Sequence, residues 1–488
     1  MNFKTIDKFK IINFGMILIG VILRLYLYFL NRSFWLDECN LANNLDLPFK
    51  SLAYNLDFNQ SAPFLFLVFS KVMFLFFNSY SELALRFLPL MASILGLFLF
   101  YFILKDVIKN KIILTILNFL FIFNEKLIYY SQEFKQYGFD VFIVLGLIYL
   151  FSKIKIEELS KKRLILLSIF LIFLPFLSLA SCFVLGGYFI LSLKKDFKKA
   201  LFCFVPSILI FGFYFIKILL PLKEKMIENY SYLWSDGFLG INLIQNLEIY
   251  KQTSSFYFMQ DKFFLFGLIL FFIGIFILIK QKTKTTNLII LTLCFIVLTS
   301  FLHIYPIKER VSLYLIPLLL IIYGAFSNLD LSKHKKLFTF CLILFLTFFL
   351  NYNFSYFYKT YFKKEIIEKC KKENPRELMK YLKENYDKKD WIIFNDASEA
   401  EFLFYSERYD LKNIKFGKIS LSSYGKDWYF SVLKEITKNK KGEICWFYYS
   451  NDYKNRPVID FLIQYLKSNT EILEELKIDN SYLFKVRI

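Results

Sequence analysis

Two adjacent acids, Asp37 and Glu38, follow Trp35 just past a long apolar run, and a carboxylate placed there could remove a proton from an acceptor hydroxyl. Neighbouring residues project in different directions from a helix, so at most one acid of the pair faces a given substrate atom. The spacing suits a solvated helix cap at a membrane surface as well. A second group, Tyr129-Tyr130-Ser131-Gln132-Glu133-Phe134-Lys135-Gln136-Tyr137, packs an acid, a cation and three tyrosines between two apolar runs. Interfacial tyrosines and a snorkelling lysine explain that composition, and so does a site at a span end facing the bundle. A third group, His303-Ile304-Tyr305-Pro306-Ile307-Lys308-Glu309-Arg310, sets two cations at the start of an apolar run. Arg86 stands in a comparable place. All of these cations fit interface anchoring, and they also fit a grip on an anionic headgroup, where Arg can hold phosphate through two parallel hydrogen bonds. His303 has no second His or acidic cluster at ligand spacing nearby and reads as structural.

The elements that position these groups are built for lipid. Of 488 residues, 57% are hydrophobic, more than a water-facing fold tolerates. The formal charge of +20 could suggest nucleic acid, but the lysines fall in short clusters between apolar runs, which is a topology signal and argues against a nucleic-acid partner. Phe and Tyr are abundant while Ala and Gly are sparse, a bias that codon supply can produce, so aromatic stripes are not read as ligand platforms. Seven cysteines lie without paired spacing, with Cys182, Cys203, Cys294 and Cys341 inside apolar runs, and indicate neither a disulfide framework nor a zinc site. Lys4, Lys8 and Lys10 precede an apolar run over 11–30 that is too long for a signal-peptide core, so it reads as an uncleaved first span.

Placing every basic cluster in the cytoplasm predicts a polytopic α-helical membrane protein of about eleven spans. They fall near 11–30, 84–104, 112–128, 138–152, 163–180, 182–193, 200–220, 262–280, 287–302, 311–326 and 337–354. The apolar run 63–77 is short, and the polar stretch after it, 78–82, has no Lys or Arg. It is expected to be a re-entrant or interfacial part of one outer loop, 31–83. The outer face then carries that loop, the 129–137 turn, the 221–261 loop, the 303–310 turn and the tail. The chain divides into a membrane domain, 1–355, and a tail, 356–488. Charges become dense from Lys363, so the tail reads as a soluble extracytoplasmic domain. Asn374 as N-cap, Pro375 and Glu377 start a helix; strands are expected at 391–394, 444–449, 471–478 and 482–486, with a helix after Pro457, giving a small α/β domain. Neither a nucleotide-binding glycine motif nor an internal repeat is present in the sequence.

Phe34-Trp35-Leu36-Asp37-Glu38, Gln60-Ser61-Ala62-Pro63, Arg86 between apolar flanks, Tyr130-Ser131-Gln132-Glu133-x-Lys135-x-Tyr137 and Lys308-Glu309-Arg310 together resemble the polyprenyl-phosphate-dependent glycosyltransferases of the GT-C fold. Within these, the chain is similar to the bacterial branch related to protein O-mannosyltransferases and the aminoarabinose transferase of lipid A, in order over residues 10 to 355. The resemblance implies an inverting transfer of a sugar from a polyprenyl-phosphate sugar to a hydroxyl of a lipid, glycan or protein acceptor, on the extracytoplasmic face of the cell membrane. It makes Asp37 the base and Glu38 its support, and maps Glu133 to the second acidic position, in contact with sugar or acceptor. Lys135 and Arg310, with Lys308 and Arg86, become the donor-phosphate clamp; Tyr130, Gln132, Tyr137 and Gln60 become substrate contacts. It implies no cofactor and no metal. Two departures stand out: Lys135 occupies a position where many relatives have Arg, and Ala62-Pro63 replaces a His-Pro or Pro-Pro pair.

Three other readings make different demands. A transporter or flippase of lipid-linked sugars expects intramembrane charges and broken helices in two halves. A polysaccharide polymerase or ligase expects critical Arg and His in a late outer loop without an early Asp-Glu. A membrane scaffold would leave Asp37 replaceable.

Overall fold

Backbone groups in lipid have no water to bond, so spanning segments close their hydrogen bonds internally as helices. In the computed structural model each segment expected as a span is built mainly of helix. The structure describes residues 8–54, 56–77, 80–224, 235–258, 264–357, 373–411, 414–419, 426–450 and 456–488. Among these, five helices are long and apolar enough to cross a membrane: Lys8–Phe29, Glu82–Val107, Phe197–Glu224, Phe264–Gln281 and Lys284–Phe301. The bent pair Lys111–Ile122 and Glu125–Gln132 makes a sixth if taken as one span. The other expected spans are helices of at most 17 residues, together with Leu331–Phe357, which leaves helical dihedrals at His334.

Two compact units emerge from Cα proximity. One contains Met1–Tyr28, Ala62–Leu67 and Arg86–Phe362; the other contains Phe29–Ser61, Val68–Leu85 and Lys363–Ile488. Most of the expected outer loop therefore folds with the C-terminal domain. The expected re-entrant run forms a 13-residue apolar helix, Phe64–Phe76. The unit boundary falls within this helix, between Leu67 and Val68.

In the membrane unit, buried polar side chains tie the helices together. Asn13 Nδ2 donates to Thr115 Oγ1 at 2.9 Å, and Asn118 Nδ2 donates to Asn13 Oδ1 at 2.8 Å. Arg24, fully buried, donates through Nε to Ser93 Oγ at 2.8 Å and through Nη1 to the carbonyls of Gly20 and Ile122, each at 3.1 Å. Ile122 ends the Lys111–Ile122 helix, so a cation meets the negative end of that helix where the chain bends by 46°. The bend aims the next turn, residues 125–132. Packing elsewhere relies on close backbone approach: a Cβ at Gly274 would collide with the Ile322 carbonyl of the Leu315–Gly324 helix. The expected 221–261 loop contains the helix Leu243–Phe258, whose polar residues give it no span-like apolar run. Residues 225–234 and 259–263 of that loop lie outside the described residues.

The C-terminal sheet has strand order β2-β1-β3-β5-β4, with β1 Trp391–Asn395, β2 Lys415–Ile419, β3 Ile444–Tyr449, β4 Glu471–Ile478 and β5 Ser481–Arg487. β1 pairs parallel with β2 and β3, while β5 pairs antiparallel with β3 and β4. The central strands Trp-Ile-Ile-Phe and Ile-Cys-Trp-Phe-Tyr-Tyr are continuous apolar runs because helices cover both faces of a parallel core. Ile393, Leu433, Phe447, Leu462, Leu466 and Phe484 form one packed cluster. β2 was not anticipated: its Lys-Phe-Gly-Lys-Ile has no strong strand pattern, and pairing along the β1 edge makes it a strand. Asn374 precedes the Pro375–Asn385 helix as expected, but its side chain does not cap. Its Nδ2 instead donates to Asp479 Oδ2 at 3.3 Å, so tertiary structure took the side chain from the local role.

Candidate active site

In the membrane unit the Tyr130–Tyr137 group is a short, over-determined turn. Asn124 Oδ1 accepts from Leu127 N at 3.1 Å and starts the Glu125–Tyr129 helix, while its Nδ2 donates to the Tyr257 carbonyl at 2.9 Å. Ser131 Oγ donates to the Ile128 carbonyl at 2.6 Å, and Lys135 N donates to the Glu133 carbonyl at 2.7 Å. The chain then enters the Tyr137–Lys153 helix beside itself: a Cβ at Gly138 would stand 2.8 Å from the Tyr130 carbonyl oxygen. Only glycine permits that approach. Gly138→Ala should therefore cost about 1–3 kcal/mol by overpacking, read as a lowered unfolding temperature of the purified protein.

The turn buries Tyr130, Gln132, Glu133, Lys135 and Tyr137. Glu133 is 0% and Lys135 4% exposed. Ionisable groups buried to this degree are costly and mark sites more often than anchors. Tyr130 meets Tyr129 edge-on at 4.9 Å and Tyr137 edge-on at 5.7 Å between ring centroids. Arg310 Cζ lies 5.7 Å from the Tyr137 ring, a cation–π contact that brings the third sequence group to the second.

Arg310 belongs to the turn Glu309–Ser312, which Tyr257 fastens by donating to the Ser312 carbonyl at 2.5 Å and lying 2.7 Å from Ser312 Oγ. Glu309 has φ +38, a left-handed backbone that a glutamate adopts only when its surroundings enforce it. Lys308 goes elsewhere. It pairs with Asp236 at the rim of an open cavity of about 600 Å³ that Glu248, Lys251, Gln252 and Phe256 also line. Arg86 is buried in the membrane unit, 1% exposed. The His303 ring stacks on Phe238 with centroids 5.1 Å apart. Among the described residues no group of three His, Cys, Asp or Glu side chains could hold a metal ion.

The other unit holds the acid pair. Asp37 and Glu38 are in the first turn of a seven-residue helix, Leu36–Ala42, whose N-cap position is Trp35, so neither acid is the cap. Successive residues turn through 100° on a helix, and the two acids separate accordingly. Glu38 is fully buried and forms an ion pair with Arg32 at 2.8 Å, while Asp37 keeps part of its surface open. The Glu38–Arg32 pair thus fixes the helix that also carries Asp37. Gln60 ends a turn in which Phe58 and Asn59 both have positive φ, 56 and 51, and its Nε2 donates to the Phe58 carbonyl at 3.2 Å.

The helix is docked on the C-terminal domain by groups the sequence did not single out. Phe34 N donates to Tyr405 Oη at 2.7 Å, and Asn43 Nδ2 donates to the Ala400 carbonyl at 2.8 Å. Tyr405 Oη in turn donates to Glu82 Oε1 at 3.0 Å. Burial holds that hydroxyl well above its usual range, so it remains a neutral donor. Glu82, 1% exposed, is also paired with Arg376 at 3.4 Å and, more closely, with Arg408. Arg32 stands close enough to the acids in sequence to have been suspected. Glu82, Arg376 and Arg408 carry no local signal, because their partners lie hundreds of residues away.

No protein-family model matches the chain, and no curated protein matches it in sequence. Its structure is similar to the crystal structure of ArnT from Cupriavidus metallidurans bound to undecaprenyl phosphate, with a TM-score of 0.51 at 9% identity, over 96% of this chain and 98% of that one. ArnT from the same organism in the apo state aligns with a TM-score of 0.51 at 10% identity, over 97% and 98% of the two chains. The fold is thus GT-C-like from end to end, with a small C-terminal sheet domain.

Proposed function

We propose that this protein is a membrane glycosyltransferase that moves a sugar from a polyprenyl-phosphate sugar to an acceptor hydroxyl at the extracytoplasmic face. The observation that carries the reading is the end-to-end likeness to a protein crystallised with undecaprenyl phosphate, combined with a buried lysine on a tyrosine-walled turn that Arg310 meets. In the proposed reaction Asp37 takes the acceptor's proton as the acceptor oxygen attacks the anomeric carbon from the side opposite the phosphate. The bond from that carbon to the phosphate oxygen breaks, the configuration inverts, and the polyprenyl phosphate leaves with the electron pair. Lys135 and Arg310 stabilise the charge that grows on the leaving phosphate. Glu133 and Gln132 face the sugar or acceptor, with Tyr130 and Tyr137 as walls; Glu38 and Arg32 hold the Asp37 helix, and Gln60 and Arg86 act at the edges of the donor site.

The clamp has a graded test. Titration of undecaprenyl phosphate into purified protein, followed by native mass spectrometry, should show Arg310→Ala and Lys135→Ala weakened by about 10-fold to 100-fold. Lys308→Ala should stay within about 2-fold, because a partly exposed pair with Asp236 already engages that lysine. Equal losses at all three positions would mean that net charge, rather than a defined clamp, binds the lipid.

A further inference from the structure

The helix that carries Asp37 has no cap of its own. Trp35, at the N-cap, offers no side-chain acceptor to the first amides, and those amides need one. The acceptor comes from 337 residues further along the chain: Leu36 N donates to Glu373 Oε2 at 3.1 Å. Glu373 is 5% exposed and lies against Glu401, which is 0% exposed. Glu401 sits on the Glu399–Arg408 helix, which leaves the carboxyl end of β1. From β1 the chain goes to β2 on one side and returns to β3 on the other, and a parallel sheet has an open crevice at such a reversal, where doubly wound folds bind ligands. Here the Leu36–Ala42 helix is held against the Glu399–Arg408 helix at that edge: Asn43 reaches the Ala400 carbonyl, and the rings of Phe34 and Phe404 lie 5.2 Å apart.

We propose that Glu373 is a positioning residue for Asp37, supplying the cap that the helix lacks. The proposal rests on Asp37 being the base. Two buried carboxyls in contact cannot both ionise. Burial, and after it the Glu373 carboxyl, holds Glu401 well above the usual carboxylate range, while Glu373 Oε2 accepts from Leu36 N. The C-terminal domain thereby acquires a role in the reaction without touching substrate: it sets the angle at which Asp37 meets the acceptor.

Hydrogen exchange of the purified full-length protein, read by mass spectrometry on peptides covering 35–42, tests this without any substrate. Glu373→Ala should speed exchange at the Leu36 and Asp37 amides by about 10-fold, the loss of one helix cap, and leave the β3 peptide 444–449 unchanged. Glu373→Gln, which keeps a side-chain oxygen acceptor, should stay near the wild type. In a sugar-transfer assay Glu373→Ala should lower kcat with little change in donor KM. Unchanged exchange at 35–42 overturns the proposal, and so does equal acceleration at 444–449, which means a general loosening of the domain. Should Glu373→Ala fail to fold, Glu373→Asp, one methylene short of Leu36 N, carries the same expectation and the same two refutations. If Asp37→Asn retains transfer while Glu373→Ala loosens the helix, the base assignment falls and the cap stands; an inactive Asp37→Asn with unchanged exchange in Glu373→Ala removes the cap alone.

Discussion

Purified Asp37→Asn protein is expected to lose sugar transfer by roughly 10³-fold while its unfolding temperature stays that of the wild type, since a general base contributes about 10²-fold to 10⁴-fold. Asn has the shape of Asp and cannot take the proton. The expectation of unchanged stability comes from the division of labour within the pair. Glu38 makes the buried contact with Arg32, whereas Asp37 keeps solvent access. Glu38→Gln should therefore behave differently, losing stability along with activity. Retained transfer by Asp37→Asn would take the base role away from this residue.

Glu82→Gln carries the largest expected stability loss. Three chain segments meet at this one carboxylate: the first residue of the Glu82–Val107 helix, Arg376 of the Pro375–Asn385 helix, and Tyr405 with Arg408 of the Glu399–Arg408 helix. Removing one partner from a buried ionic network leaves charge uncompensated, at a cost of about 3–5 kcal/mol. Both arginines keep some contact with water, so about 3 kcal/mol is the reasonable figure. In a domain of this size that lowers the unfolding midpoint by about 6–12 °C, measurable by scanning fluorimetry. A shift under about 2 °C would mean that the network contributes little to docking the outer loop on the C-terminal domain.

Long apolar runs and lysine clusters made the membrane helices legible, because lipid imposes one solution on the backbone. The C-terminal strands at 391–394, 444–449, 471–478 and 482–486 were legible for a similar reason, being apolar or alternating runs between turn residues. β2 and the Leu243–Phe258 helix were not, since pairing at a sheet edge and packing against the Phe264–Gln281 helix and the Glu309–Ser312 turn supply what their sequences lack. Residue types at short spacing singled out Asp37, Glu38, Glu133 and Lys135 as candidates. The supports Glu82, Tyr257 and Glu373 were hidden, because a buried acid or tyrosine satisfied from far along the chain looks like any other in one dimension. The separation of Lys308 from Arg310 was hidden too: the two are neighbours in sequence, and only the Asp236 pair and the strained Glu309 backbone send them to different places.

The central claim is transfer of a sugar off a polyprenyl phosphate, and the lipid product tests it most directly. Purified protein in nanodiscs, incubated with membrane lipids containing polyprenyl-phosphate sugars and with candidate acceptors, should release free polyprenyl phosphate detectable by mass spectrometry. Asp37→Asn should release none above background. Wild-type protein that leaves the lipid-linked sugar intact, or moves it across a vesicle membrane with the sugar still attached, would contradict the account and point to a transporter.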